Sequence, residues 1–304
     1  MTAPLAYLNG RFIPFAELIL PVWDAGFVFG ATVTDLVRTF RGKPFRLDDH
    51  LVRFRQSCRL CRIALAVADD ELRKGALKLL EHNTALLPAN TELAIVMFAT
   101  PGPIGYYGGR PGNPGDDPPT LGLHTFPLPF PRYRTLFTEG AALVVPPTRH
   151  VPAASVDPRA KMRSRMNWWI AEQEAKAIDP AAAALLLDAH GRVTETAAAN
   201  FLIVHDGAVI TPPRTSVLDG ISLRVVEELC RDLAIPFVER PLTLTECQSA
   251  DEALLAGTAF CVAGVRRLDG VTLPWPGPIR RRLLAAWSAR VGVDIEGQIL
   301  GRSV

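Results

Sequence analysis

No stretch of the chain approaches the roughly 18 uninterrupted apolar residues of a membrane-spanning helix, so no such span is expected. The N-terminal MTAPLAYLNGRFIP lacks a basic segment followed by an apolar one. Export is therefore not expected, and a cytoplasmic location is. An excess of charge of one sign is missing too: 33 Lys and Arg against 31 Asp and Glu leave a formal charge of +2, with the basic residues dispersed. That argues against a nucleic-acid or polyanion partner. Cysteine is scarce, and the five copies are an odd number spread along the chain, which reads as reduced thiols rather than a disulfide framework. Cys58 and Cys61 form a CxxC, but inside the helical pattern FRLDDHLVRFRQSCRLCRI and without a second pair at zinc spacing. They read as buried helix-face residues, and no metal site is expected. No self-similar period appears, which excludes a repeat array.

What is present is enough apolar material, 48% of 304 residues, to fill two ordinary cores. Two domains are expected: a small α/β domain over 1–130, a linker at 131–137 marked by the proline-rich PLPFPRY, and a larger domain over 138–304. In the first, AYLNGRFIP carries an Asn-Gly hairpin turn. Leu51, Phe54, Cys58 and Cys61 recur at helical spacing from Leu47, with Asp48 or Asp49 as N-cap candidates. DDELRKGALKLLEHN is a second helix and TELAIVMFAT a buried strand. Between Pro101 and Pro119 glycine and proline are too dense for helix or sheet, and a loop of that length is expected to serve as a lid or a partner contact. The second domain reads as strands and hairpins, with Asp-Gly turns in NFLIVHDGAVITPP and VAGVRRLDGVTL. Two helices interrupt it, one following Lys161 and one starting at Ile221 with Val225, Val226, Leu229, Cys230 and Leu233 on one face.

Four features bear on chemistry. Lys161, in DPRAKMRSRMNWW, is placed at a helix start; alone it would be an ordinary surface lysine, but a desolvated lysine beside other cations has a lowered pKa that suits a Schiff-base nucleophile. Glu195 stands among small residues between the apolar runs AAAALLLD and FLIV, where a carboxylate is costly to desolvate without a cation. In LDGISLRVVEEL a glycine leads into a helix whose first N–H groups favour an anion, with the Ser222 hydroxyl as a further donor, and GTAF offers a second amide and the Thr258 hydroxyl. Arg53 lies beside the apolar stripe of its helix, where a guanidinium can grip a phosphate with two bonds. An amine, a buried carboxylate and a set of phosphate donors are the parts of a pyridoxal phosphate (PLP) site, with Glu195 facing the pyridinium nitrogen.

At this point the sequence resembles the fold-type IV PLP enzymes: branched-chain aminotransferase, D-amino acid aminotransferase, (R)-selective amine transaminase and aminodeoxychorismate lyase. DAGFVFGATVTDLVRTFRGKPFRLDDHLVRF, VTETAAANFLIVHDG, ITPPRTSVLDGIS and ADEALLAGTAF carry the resemblance over nearly the whole chain. It implies a mixed α/β fold, with a small N-terminal α/β domain and a larger C-terminal pseudobarrel domain that binds PLP. It further implies Lys161 as the Schiff-base lysine, Glu195 as the pyridine partner, Arg53 as the phosphate arginine and Leu218 on the ring face. Ile221, Ser222 and Thr258 match the phosphate-binding positions, and Phe29, Arg38, Thr258 and Ala259 match substrate positions. Homodimers or larger assemblies are implied, with the 101–119 loop closing a neighbour's pocket.

Departures bear on substrate. Phe29 and Thr34 replace aromatic residues of branched-chain enzymes, Met97 and Ala99 stand where polar carboxylate readers are expected, Ser164 replaces an asparagine, and Arg163 and Arg165 are unusual, with solvent as their expected surroundings. The expected activity is transfer of an amino group from an amino acid, a branched-chain-like L-amino acid foremost, to a 2-oxo acid such as 2-oxoglutarate or pyruvate. The alternatives are a D-amino acid or (R)-amine donor, or lyase chemistry on the same site.

Overall fold

The computed structural model describes residues 3–302, which divide into two compact units, 3–128 with Ala160–Arg165, and Pro129–Arg159 with 166–302. The first unit contains β1 (Leu5–Leu8), β2 (Arg11–Pro14), α1 (Ala25–Val28), β3 (Val33–Phe40), β4 (Lys43–Pro44), α2 (Leu47–Leu60), α3 (Asp69–Thr84), β5 (Leu93–Thr100) and β6 (Thr120–Pro127). Among the described residues its strands form one sheet in the order β2-β1-β6-β5-β3-β4, antiparallel throughout. Alternate residues of the sheet, among them Val33, Val37, Ile95, Met97 and Leu123, pack against Leu51, Phe54 and Cys58 of α2 and Leu72, Ala76 and Leu79 of α3.

Turn chemistry sets the hairpins. Asn9 and Gly10, Asp206 and Gly207, and Asp269 and Gly270 all have positive φ, the requirement of a two-residue type I′ turn, and each joins directly paired strands. Arg41-Gly42 does the same between β3 and β4, with an arginine bearing the strain that asparagine tolerates more easily. Helix α2 begins two residues earlier than Asp48 as N-cap would place it: Arg46, in the left-handed region, is the N-cap, and Asp48 and Asp49 occupy the first turn, where they complement the helix dipole. The 101–119 loop contains a short 3₁₀ turn at Gly105–Gly108 and folds back on itself, so tightly that a Cβ on Gly105 would fall 2.3 Å from the Pro111 carbonyl oxygen.

The second unit contains α4 (Arg134–Thr138), β7 (Ala141–Val144), α5 (Met166–Ile178), β8 (Ala183–Leu187), β9 (Val193–Thr196), β10 (Asn200–His205), β11 (Ala208–Thr211), α6 (Ile221–Asp232) and β12 (Phe237–Glu239). It continues with α7 (Leu244–Gln248), β13 (Glu252–Gly257), β14 (Cys261–Leu268), β15 (Val271–Thr272), α8 (Pro278–Val291) and α9 (Ile295–Leu300). Among the described residues the strand path runs β12-β11-β10-β13-β14-β7-β8-β9, and β9 pairs back onto β10 through Asn200 opposite Glu195. That last pair closes β10, β13, β14, β7, β8 and β9 into a ring, the pseudobarrel. The apolar face of α6 is buried as its spacing predicts, except that Leu233 is the half-buried C-cap.

Two boundaries differ from the sequence reading. Residues 131–137, read as a linker, belong to the second unit and run through a 3₁₀ turn into α4, whose Phe137 is buried. Ala160–Arg165 belong to the first unit because Met162 bridges Val33, with the Thr34 N–H donating to the Lys161 carbonyl (2.9 Å) and the Arg163 N–H to that of Thr32 (2.7 Å). Lys161 therefore lies in an extended segment added to the edge of β3. The helix predicted to start there begins at Met166.

Candidate active site

In the first unit the chemistry gathers around α2. Asp35 stands in the core-facing register of β3, between Val33 and Val37, and is fully buried. An ionised carboxylate survives there only with compensation, which Arg53 and His50 supply. Arg53 Nε donates to Asp35 Oδ2 at 2.8 Å and Nη2 to Oδ1 at 2.7 Å, and His50 Nδ1 lies 2.7 Å from Oδ1. Burial alone would raise the Asp35 pKa, but the charge of Arg53 and the hydrogen bonds from Arg53 and His50 outweigh it and hold the carboxyl below its ordinary range. His50 is driven the other way: burial lowers its pKa, Asp35 partly restores it, and the charges of Arg53 and Lys161 depress it again. The imidazole is thus neutral at neutral pH and donates its Nδ1–H to Asp35.

Lys161 is tied to the same helix. Its N–H donates to the Ser57 hydroxyl at 3.0 Å, and Ser57 is one turn beyond Arg53. The lysine is half-buried, whereas Lys43, Lys74, Lys78 and Lys176, the other four in the chain, are all exposed. The remaining first-unit candidates are placed differently. Phe29 is the exposed C-cap of α1. Arg38 is buried, its Nε donating to the Thr39 carbonyl and its guanidinium stacked 3.8 Å from the Phe40 ring centroid. Met97 and Ala99 point into the core, so the opposite face of β5 there is carried by Phe98, beside Thr34 and Gly122 in the ladder.

In the second unit the candidates collect where the barrel closes. Glu195 is 8% exposed; its Oε1 accepts from the Leu218 N–H and its Oε2 from Asn200 Nδ2, both at 3.1 Å. Asn200 also donates to the Leu218 carbonyl at 2.8 Å, fixing the chain that leads into α6. Gly220, the N-cap of α6, crosses so close that a Cβ would lie 2.0 Å from Asn200 Oδ1. The first turn of α6 is left without a side-chain cap, and carries the buried Ile221 and Ser222. Asn200 pairs with Ala256 on its other side, which brings the Thr258–Ala259 turn after β13 to the same end of the barrel. Both Thr258 and Ala259 are half-buried.

These parts fit PLP. A carboxylate held by two neutral donors has lone pairs left for a third, and a pyridinium N–H is such a donor. An uncapped helix start with a neighbouring hydroxyl suits a phosphate. Asp35, His50 and Asn200 escaped the sequence reading, as did His150, whose Nε2 is 3.7 Å from Glu195 Oε1 and whose ring stacks edge-on to Trp168. Only Asp35 and His50 had a signal: an acid in the apolar register of a strand, and a histidine one helical turn before Arg53.

Residues 32–268 match the family model described as amino-transferase class IV. A putative branched-chain-amino-acid aminotransferase of Methanocaldococcus jannaschii is 30% identical over 267 residues, 87% of this chain and 88% of the relative. A D-alanine aminotransferase of Bacillus licheniformis is 25% identical over 281 residues, covering 91% and 94%. The solved branched-chain aminotransferase of Thermoproteus uzoniensis with norvaline superposes with a TM-score of 0.81 at 25% identity, covering 98% of this chain and 95% of that one. The Escherichia coli branched-chain enzyme shares the fold, with a TM-score of 0.84 at 22% identity and coverage of 99% and 96%.

Proposed function

Because this chain belongs to the class IV aminotransferases and is a PLP-dependent transaminase, we propose that Lys161 is its catalytic amine and a branched-chain-type L-amino acid its preferred donor. The observation that carries the first part is the burial of lysines: Lys161 is the one lysine shielded from solvent, and its backbone is pinned on both sides by Ser57 and β3. Bound PLP supplies an electron sink that makes the substrate Cα–H acidic. Lys161 Nζ takes that proton and returns it on the other side of the transfer, so that an amino acid leaves as a 2-oxo acid and a second 2-oxo acid is aminated.

Glu195 accepts a hydrogen bond from the pyridinium N–H and stabilises its positive charge. Its two existing donors keep both oxygens in place, so little reorganisation accompanies the reaction. Arg53 donates from Nε and Nη2 to Asp35, which fixes the plane of the guanidinium, and Arg53 is the arginine assigned to the phosphate. Ile221, Ser222 and Thr258 supply the remaining phosphate donors, Leu218 packs on the ring, and the amide of Ala259 meets the substrate carboxylate. The donor preference is supported by the M. jannaschii relative, more similar than the D-alanine enzymes. We also propose a homodimer, supported by the exposed Phe27, Phe29, Tyr106 and Tyr107 of the first unit.

The test is the single half-reaction: L-leucine, D-alanine and (R)-1-phenylethylamine are added separately to the PLP-loaded protein without acceptor, and loss of the visible cofactor band is followed. Bleaching by L-leucine alone is expected. Bleaching by D-alanine alone overturns the donor assignment, and pyruvate release from aminodeoxychorismate without an acceptor overturns the transaminase assignment.

A further inference from the structure

Arg163 is a guanidinium without an acid. Among the described residues no carboxylate lies within ion-pair distance of it, whereas Arg53, Arg214 and Arg280 each have one. Its side-chain contact is Nη2 to the Thr34 hydroxyl at 3.4 Å, a long bond to an oxygen that itself donates to the Met97 carbonyl at 3.0 Å. Arg163 is exposed to solvent along part of its length, and the protein around it lowers its pKa by desolvation. The charge reaches His124, where it adds to burial in lowering the imidazole pKa, and His124 Nδ1 is a buried nitrogen without a hydrogen-bond partner. A guanidinium whose neighbours are a hydroxyl and an imidazole, with no carboxylate in ion-pair reach, is a setting that attracts an anion.

The position of that cation gives it meaning. Arg163 is held by its N–H bond to the Thr32 carbonyl, and the Met162–Val33 bridge makes the segment extended. In an extended chain residues 161 and 163 emerge on the same side, about 7 Å apart at their Cα atoms. Met162 takes the opposite side with Val33, toward the core. The same face of the sheet carries Thr34 and the half-buried Phe98, whose ring lies over Gly122 so closely that a Cβ there would be 2.2 Å away. The Phe98 ring takes up the room left by Gly122, and the short Thr34 side chain is the neighbour that Arg163 meets on this face.

We propose that Arg163, assisted by Thr34, is the specificity residue that reads the distal carboxylate of a dicarboxylic substrate, the C5 carboxylate of a five-carbon 2-oxo diacid or its amino acid. The proposal rests on the assignment of Lys161 as the catalytic amine, since it places the reader two residues from that amine. A mono-acid of similar length leaves the guanidinium without its anion and reacts less well.

The experiment compares 2-oxoglutarate with 2-oxohexanoate as acceptors, a pair that differs in the distal carboxylate, using the wild-type PLP-loaded enzyme and Arg163→Gln and Arg163→Lys. Loss of one charge-assisted, two-pronged contact corresponds to roughly a 10- to 100-fold fall in kcat/KM for 2-oxoglutarate. For 2-oxohexanoate kcat/KM is expected to stay within about twofold, and lysine to recover only part of the loss because it cannot present the fork. Binding is read independently by calorimetric titration of glutarate, which should lose affinity in Arg163→Gln while pentanoate does not. Equal losses for both acceptors, or unchanged glutarate affinity, overturn the proposal. An absence of turnover with either acceptor in the wild type instead overturns the transaminase assignment on which it rests.

Discussion

Replacing Asp35 by Asn tests whether the buried charge cluster holds Arg53 in place. The substitution keeps the shape of the side chain and one acceptor oxygen but removes the negative charge that both Arg53 and His50 face at 2.7 Å. The side chain of Asp35 is 0% exposed and that of Arg53 5%, so water cannot replace the lost partner. Breaking a buried pair by removing one member costs about 3–5 kcal/mol, because a charge is left uncompensated.

The pH dependence gives the cluster a signature. The folded-state pKa of Asp35 lies below its unfolded value of about 3.9, so its stabilisation is complete above that pH and is lost as pH falls below about 4. His50, whose folded pKa is also depressed, costs both proteins stability as pH falls below about 6.5. The difference between wild type and Asp35→Asn should therefore be large and flat from pH 7 to about pH 5, and should shrink below about pH 4. Urea unfolding followed by circular dichroism at a series of pH values measures it. A difference under about 1 kcal/mol at pH 7, the scale of an exposed pair, would refute the reasoning, as would one that does not change on acidification.

Other expected outcomes follow from the second unit. Glu195→Gln keeps the shape and the Leu218 bond but removes the charge, and should lower kcat by about 10²- to 10³-fold with the fold intact. A loss of less than fivefold in steady-state assays counts against the pyridinium role. Gly220→Ala puts a methyl group onto Asn200 Oδ1 and should cost about 1–3 kcal/mol, together with weaker PLP binding in fluorescence titrations, because the same asparagine holds Glu195. Retained affinity would show that Asn200 is not needed to hold the carboxylate. Cys58, Cys230 and Cys247, with thiol pKa values pushed up to about 12 by burial, should resist alkylation in the native protein at pH 8, and rapid labelling by mass mapping would contradict their placement.

What was legible in the sequence was what is encoded locally. Asn-Gly and Asp-Gly are read correctly because positive φ at two successive positions is a property of the dipeptide, and the α6 stripe because its spacing needs no partner. Helix α8 escaped although Pro278 opens it and Gly292, at φ 66°, ends it. Its core-facing register contains Arg280, buried at 3% exposure through a pair with Glu296 and stacking on Phe137, so the apolar stripe is interrupted by a charge whose partner is not local. The candidate residues were legible as chemical types, but their settings were not. That Lys161 sits on an extended edge rather than a helix depends on bonds to β3, more than 120 positions earlier in the chain. That Glu195 is held by Asn200 depends on a barrel that closes through strands from distant segments.

The central claim is that Lys161 carries the cofactor. Incubation of the protein with PLP, borohydride reduction and peptide mass mapping tests it directly. A phosphopyridoxyl group is expected on Lys161 at about one per chain, absent from the four exposed lysines and from a Lys161→Ala variant that is still folded. Stoichiometric modification of Lys43, Lys74, Lys78 or Lys176 with Lys161 unmodified would contradict it.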